Sequence, residues 1–297
     1  MPATFPDYPF ASNWFDRGAG IRMHYLDEGP RDAPPVLMVH GNPSWSYYWR
    51  HLVLALRGRY RCIVPDHIGM GLSDKPGDDA YRHTLAWRIQ DLDRLLAHLG
   101  IDRDLTVAVH DWGGAIALGW AVRHATAVRR LVILNTAAFP LPAGKRLPWT
   151  LRLVRNTGLG AWLVCRLNAF ARGAAWLGVY RRLAREERRA LLAPYDTPAH
   201  RLATLRFVRD IPVQDTDPAW GPLVDTERRL GLLADRPTLL CWGLRDFVFD
   251  EDYLNQFVRR FPGAEVHAYE DAAHYVLEDA RARILGAVES FLQRHPL

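Results

Sequence analysis

Asp111 stands in the run VHDWGGAI, residues 109–116, directly after the branched segment LTVAV and before a helical pattern. A short apolar run of that kind predicts a strand, and Gly113 and Gly114 suit a sharp bend packed close to the helix that follows. A side chain on such a bend sits at the carboxyl end of a parallel strand beside a helix N-terminus. Local amides there keep a carboxylate ionised. Asp246 occupies a comparable place in CWGLRDFVFD, just beyond the strand-like TLLCW, and His274 follows the last proposed strand in EDAAHYVLEDA. The chain order is then nucleophile, acid, histidine, with Asp246 fixing the tautomer of His274. Asp250 is a rival for the acid. Asn135, ending the preceding strand, can support the site but supplies no carboxylate. HGNPSW opens at His40, and its backbone amides and the Asn42 side chain can face the same edge. With the Trp112 indole this makes two side-chain N–H donors for a leaving halide, an alkoxide-like oxygen or a carboxylate.

An aspartate at this bend defines a reaction class. Carboxylate attack on an sp³ carbon forms an alkyl-enzyme ester and expels halide or opens a strained ring. Haloalkanes, epoxides and four-membered lactones are fitting electrophiles. In a hydrolase, His274 would next activate water against that ester. Plainer readings exist for each residue: a helix cap for Asp111, a core histidine for His274, a structural turn for HGNPSW. The agreement of three strand-end loops favours chemistry. Asp66 and His67, in PDHIGMGLSDKP, read as scaffold. The fragment GMG lacks the glycine spacing of a nucleotide fingerprint, and HDWGG lacks metal-ligand spacing, so neither a cofactor nor a metal is expected.

The elements that must position these residues alternate. VLMV (36–39), CIVP (62–65), LTVAV (105–109), LVIL (131–134) and TLLCW (238–242) read as buried parallel strands, and AEVHAY (264–269) as an outer one. Helical patterns lie near 46–56, 83–98, 114–124, 250–260 and 276–292, which predicts an α/β sheet with helical crossovers. The alternation stops after LVILNTAAFP. From about 137 to 225 only helical patches and Gly- or Pro-containing turns occur, as in a helical insertion. The expected division is a core of 1–136 and 226–297 with a helical lid at 137–225.

Composition allows a large core: 297 residues, 49% hydrophobic and 24% charged. The opening MPATFPDYPFASNWF has no basic start followed by an apolar run, which predicts no secretory signal. Its apolar segments are too short and interrupted for a membrane span. Cys62, Cys165 and Cys241 are odd in number and widely spaced, so no disulfide framework is expected and the cytoplasm is the default compartment. Eleven Lys or Arg lie between Lys145 and Arg189 against Glu186 and Glu187. The stretch is interleaved with Leu, Trp and Val. It reads as the solvated face of an amphipathic lid, or as a membrane or partner surface. No nucleic-acid module accompanies it.

With Asp111, Trp112, Asn42, Asp246 and His274 in place, the sequence resembles the haloalkane dehalogenase branch of the α/β-hydrolases. VHDWGG and HGNPSWSYYWR match that branch's nucleophile turn and halide or oxyanion loop. The resemblance implies a mostly parallel eight-stranded sheet flanked by helices, with an inserted helical lid. It places the nucleophile at Asp111, the base at His274, the acid at Asp246 and the leaving-group donors at Asn42 and Trp112. Longer signatures, VPDHIGMGLSDKP, LNTAAFPLP, LNAFARGAAW, APYDTPAHRLATLRFVRDIP and LLCWGLRDFVFD, resemble the cis-β-lactone decarboxylases of long-chain olefin biosynthesis. That resemblance implies conversion of a cis-3,4-dialkyl β-lactone to a cis-alkene and carbon dioxide, in assembly with other enzymes of the pathway. The alternatives are a haloalkane dehalogenase using the same five residues, an epoxide hydrolase recruiting Tyr180 or Tyr195, and a catalytically silent assembly scaffold. Trp149, Leu151, Leu153, Val154, Leu159, Trp162, Leu163, Leu167, Phe170 and Trp176 supply the lid with apolar surface, in part for packing and in part for a channel taking two alkyl chains.

Overall fold

The computed structural model describes residues 5–297, so the first four residues of the opening stretch read for a leader lie outside it. Eight strands form one sheet: β1 (Asn13–Gly18), β2 (Ile21–Glu28), β3 (Pro35–Val39), β4 (Arg61–Pro65), β5 (Leu105–Asp111), β6 (Val128–Thr136), β7 (Thr238–Gly243) and β8 (Glu265–Tyr269). Their order is β1-β2-β4-β3-β5-β6-β7-β8. Pairs from β4 to β8 are parallel, while β1 and β2 pair antiparallel with each other and β2 antiparallel with β4. The residue patterns anticipated the six strands from β3 onward. They did not anticipate the β1–β2 hairpin, whose count came only from the family resemblance. In NWFDRG the alternation is short and a register shift between Asp16 and Gly18 interrupts it, leaving a weak period-2 signal.

Each central strand serves two cores. Leu37 and Val39, Val107 and Val109, Leu131 and Ile133, and Leu240 and Trp242 enter one hydrophobic cluster. Their neighbours Val36 and Met38, Ala108, Val132 and Leu134, and Leu239 and Cys241 enter another. Successive side chains on a strand point to opposite faces, so a continuous apolar run is what a sheet covered on both sides requires. On the first face lie α2 (Leu85–His98), α3 (Trp112–Ala121), α9 (Trp220–Arg229) and α10 (Glu251–Arg260), represented by Ile89, Ile116, Leu223 and Phe257. On the second lie α1 (Arg50–Leu56), α11 (Val276–Asp279) and α12 (Arg281–Arg294), through Leu52, Leu277 and Ile284.

Between β6 and β7 the chain is helical: α4 (Trp149–Asn156), α5 (Gly158–Leu167), α6 (Ala169–Leu177), α7 (Arg185–Leu192), α8 (Leu202–Arg209) and α9. Helix α9 runs across residue 225 and its Leu223 belongs to the main core. Polar anchors hold this layer down. The buried Arg201 donates to the carbonyls of Tyr195, Cys165, Arg166 and Asp196, which knits α5 to the start of α8. Glu187 of α7 accepts from Arg50 and Arg281 of the core, both of which also bind Glu278. No helix of the described residues is long and apolar enough to cross a membrane.

Close approach explains the glycines of the β5–α3 bend. A Cβ at Gly113 would overlap the Val39 carbonyl, and one at Gly114 the Thr136 hydroxyl. Backbone cannot yield as a flexible side chain does. Gly113→Ala should therefore cost about 2 kcal/mol of stability, within the range for overpacked cores. Urea denaturation measures this, and a variant as stable as the parent would refute the steric account.

Candidate active site

The bend that ends β5 carries Asp111 with φ 52° and ψ −128°, a conformation that residues with side chains rarely adopt. It persists because its surroundings over-determine it. The Thr136 hydroxyl on β6 donates to the Asp111 carbonyl, and the Asn42 backbone N–H donates to Asp111 Oδ1 at 2.5 Å. Gly41 lies so close that any Cβ there would occupy the space of the carboxylate. The bend thus turns the Asp111 side chain away from the sheet and into a cavity under the helical layer, while leaving it buried.

His274 reaches the same point from the loop between β8 and α11. Its Nε2 lies 3.7 Å from Asp111 Oδ2, and its Nδ1 lies 2.8 Å from Asp246 Oδ2. An ionised carboxylate can only accept, so Nδ1 carries the hydrogen and Nε2 faces Asp111. Asp246 is itself clamped. Its Oδ1 accepts from the Val248 amide and its Oδ2 from Asn135 Nδ2. Asn135 also donates to the Gly243 carbonyl and accepts from the Gly243 amide, tying the acid's loop to the end of β6. Asp250, the rival for the acid, instead caps α10 and pairs with Lys145, away from His274.

Electrostatics follow from burial and pairing. Burial raises Asp111, and His274 with the amides of Asn42 and Trp112 pulls back without cancelling it, so the carboxyl stands above its ordinary range. Burial alone would lower His274. The Asp246 carboxylate and its hydrogen bond, then Asp111, outweigh that and raise it. Beneath them, His110 is held far below its usual value by burial and then by His274, and it hydrogen-bonds the His274 carbonyl at 2.8 Å. A neutral His110 stacked on Tyr48 is therefore a floor under His274 with no second positive charge.

The two expected donors differ in their settings. Trp112 lines the cavity, and its indole N–H has no acceptor among the described residues. Asn42 lines it too, with Nδ2 donating to the Thr204 carbonyl of α8 at 3.0 Å and Oδ1 without a partner. One N–H of that amide is thus spoken for and the other is free. Asp66 and His67 are scaffold, as the sequence indicated. Asp66 takes the amides of Ser46 and Leu72 and pairs with His24, and His67 bonds the His40 backbone. Neither lines the cavity. Nothing in the sequence singles out Thr136, His110, Thr204 and Phe207. Only their contacts across the fold distinguish them from ordinary polar or core residues.

The cavity measures about 710 Å³. Apart from Asn42, Asp111, Trp112, Thr150, Tyr253 and His274, its walls are apolar or small. Trp149, Leu151, Leu153, Val154, Leu163 and Phe170 line it as expected. Leu159, Trp162, Leu167 and Trp176 do not; they lie on the outer surface, and for these four the channel expectation is corrected. On the short helices α5 and α6 one face meets the cavity and the other meets solvent, so apolar content alone overstated the lining. Tyr180 is exposed and Tyr195 is buried against the Ser44 carbonyl, and neither lines the cavity.

Because His274 has a raised folded pKa, its pairing contributes stability in full below the unfolded value of about 6.5. That contribution is lost as pH rises through the folded value. Asp246→Asn removes the largest raising influence and leaves burial in place. The His274 pKa should fall, as followed by NMR titration of its ring protons. An unchanged value would show that Asp246 does not govern the ring.

The sequence profile of the alpha/beta hydrolase fold family matches residues 34–280. The chain is 54% identical over 299 residues to a cis-3-alkyl-4-alkyloxetan-2-one decarboxylase of Xanthomonas campestris pv. campestris, covering 99% of this chain and 100% of that one. A protein of the same name from Shewanella oneidensis is 47% identical over 285 residues, with 96% and 89% covered. Among solved structures, the haloalkane dehalogenase DatA of Agrobacterium tumefaciens superimposes with a TM-score of 0.84 at 27% identity, covering 96% of this chain and 98% of that one. The chain belongs to the α/β-hydrolase fold family, in the group that includes the cis-3-alkyl-4-alkyloxetan-2-one decarboxylases and the haloalkane dehalogenases.

Proposed function

We propose that this protein decarboxylates cis-3-alkyl-4-alkyloxetan-2-ones, releasing a cis-alkene and carbon dioxide, with Asp111 as covalent nucleophile. The observation that carries the reading is a single carboxylate in a 710 Å³ apolar cavity, beside one histidine–acid pair, with Asn42 and Trp112 lining the same cavity. That volume suits a ligand of drug-like size, for which the usual range is about 300–1,000 Å³. Each methylene buried from water contributes about 0.8 kcal/mol, so two alkyl chains bring large binding energy to a site that offers few polar contacts. The identity to the two decarboxylase relatives supports the same conclusion. Residues 137–225 are the lid on this reading, except that α9 crosses residue 225 and packs on the core through Leu223; the two flanking segments are the core.

The steps use only this chain's residues. An Asp111 oxygen attacks the sp³ β-carbon of the lactone ring; the bond from that carbon to the ring oxygen breaks with inversion, and its electron pair passes to the freed carboxylate. The carboxylate then leaves as carbon dioxide. The electrons of its C–C bond form the alkene as the ester C–O bond to Asp111 breaks, regenerating the aspartate. Inversion followed by anti elimination preserves the cis relation, and no water is consumed. Asn42 and Trp112 hold the freed carboxylate. His274, oriented by Asp246, polarises the lactone oxygen in its protonated form, in which Nε2 also carries a hydrogen to donate. In the competing route Asp111 attacks the lactone carbonyl to give an anhydride, and the same donors face an alkoxide-like oxygen.

Haloalkane hydrolysis through an alkyl-enzyme ester is the second reading, favoured by the likeness to dehalogenase structures and by the same five residues. An epoxide hydrolase is disfavoured by the placement of Tyr180 and Tyr195. The partner reading includes assembly with other olefin-pathway enzymes and a cytoplasmic location, with weak membrane contact through the lid. Support for that contact comes from Trp149, Leu177 and Phe247, which line the cavity yet are 69%, 68% and 52% exposed, placing apolar side chains at its mouth. Arg146, Arg152, Arg166, Arg172, Arg182 and Arg189 are exposed nearby in sequence and form no ion pair among the described residues. Aromatic and basic side chains together suit an anionic bilayer surface. The protein should co-sediment with phosphatidylglycerol vesicles at low salt and be released at high salt; no binding at low salt removes this contact.

Turnover of a synthetic cis-dialkyl β-lactone in oxygen-18 water tests the chemistry. Single-turnover carbon dioxide, trapped before bicarbonate exchange, should be free of label. A labelled β-hydroxy acid as main product, or halide release from a haloalkane panel without alkene formation, would overturn the decarboxylase. Asp111→Asn should lower turnover by about 10³ or more. Retained activity would show that Asp111 is not the nucleophile, and assembly that survives the substitution while activity is lost would separate a scaffold role from catalysis.

A further inference from the structure

Helix α8 touches both N–H donors. The Thr204 carbonyl takes one hydrogen of the Asn42 amide at 3.0 Å, and the Phe207 ring lies 5.4 Å from the Trp112 ring at an angle of 58°. Thr204 and Phe207 are three residues apart, so both face the same side of the helix. That side is buried against the β5–α3 bend.

The Phe207 ring also meets Arg88 of α2. The guanidinium carbon sits 3.5 Å from the ring centroid, and none of the three guanidinium nitrogens has a hydrogen-bond partner among the described residues. Its nearest carboxylate, Asp210, is 3.6 Å away. A buried arginine without hydrogen bonds is costly, and here its principal close contact is an aromatic face, an arrangement that attracts cation to ring. Asp210 ends α8 and accepts the Leu85 amide at 2.6 Å, which pins α8 to the first turn of α2. Arg88, Phe207 and Trp112 therefore form one contiguous run of contacts from the core to the cavity wall, the two rings tilted against each other.

We propose that Phe207, backed by Arg88, is a positioning residue: it holds the Trp112 indole in the orientation that aims its N–H at the leaving carboxylate. The inference rests on the donor role given to Trp112 above. On this account α8 does more than cover the site; it aligns both donors from the lid side, and neither donor is aligned by the β3 and β5 loops alone.

A double-mutant cycle tests this with Phe207→Leu and Trp112→Phe, assayed on the cis-dialkyl β-lactone, with thermal melting confirming that each variant folds. Phe207→Leu should lower kcat about tenfold with KM changed less than twofold, since small misplacements of a positioning contact carry large rate effects. In the Trp112→Phe background the same substitution should lower kcat less than twofold, because the group it positions is gone. A full tenfold loss in both backgrounds, or no loss in the parent, overturns the proposal while leaving the decarboxylase reading intact. Should the parent consume a bromoalkane and not the lactone, the substrate reading fails and the cycle is run on bromide release with the same expectations. A parent inert to both substrates removes the donor role, and the proposal with it.

Discussion

A carboxylate buried in an apolar cavity is the constraint on which the rest of this structure depends. Taking Asp111 out of water disfavours its charged form. The fold answers with three groups from three separate chain segments: the Asn42 amide after β3, the Trp112 amide at the start of α3, and His274 after β8. The backbone at Asp111 adopts a disfavoured conformation to present the side chain to all three. Gly41, Gly113 and Gly114 are needed because the bend leaves no room for a Cβ beside the carboxylate, the Val39 carbonyl or the Thr136 hydroxyl.

Support for the histidine is layered in the same way. Asp246 orients His274, Asn135 orients Asp246, and neutral His110 lies under the imidazole. Each partner comes from a different strand end, so the rigidity of the parallel sheet becomes the precision of the site. For the proposed elimination this matters more than raw acidity. Water is not a reactant, and an apolar enclosure keeps it from diverting an alkyl-enzyme ester to hydrolysis.

The helical layer between β6 and β7 has three tasks that its composition blurs together. Its inner face supplies the apolar wall, through Leu151, Val154 and Phe170. Its anchors, Arg201 on backbone carbonyls and Glu187 on Arg50 and Arg281, hold it to the core. Its α8 reaches Asn42 and Trp112 directly. The remaining apolar side chains, among them Trp162 and Trp176, face outward, and their place in the protein is at a surface.

Six strands, the helical interruption after β6, and the order Asp111, Asp246, His274 were all legible in the sequence. The reason is local: a strand covered on both faces must read as an unbroken apolar run, and a bend packed this tightly must be built from glycine. The hairpin β1–β2 was not legible, because a short bulged edge pair leaves little periodicity. Sequence position favoured Asp246 over Asp250, four residues on in the same loop, but the contacts behind that choice are tertiary: Asp246 turns to His274 and Asp250 to Lys145. The tertiary structure alone divides the lid's apolar residues between cavity and solvent, and brings Thr204 and Phe207 to donors from distant segments. Periodicity records which residues must be buried, whereas the partner against which each is buried is set by how the elements come together.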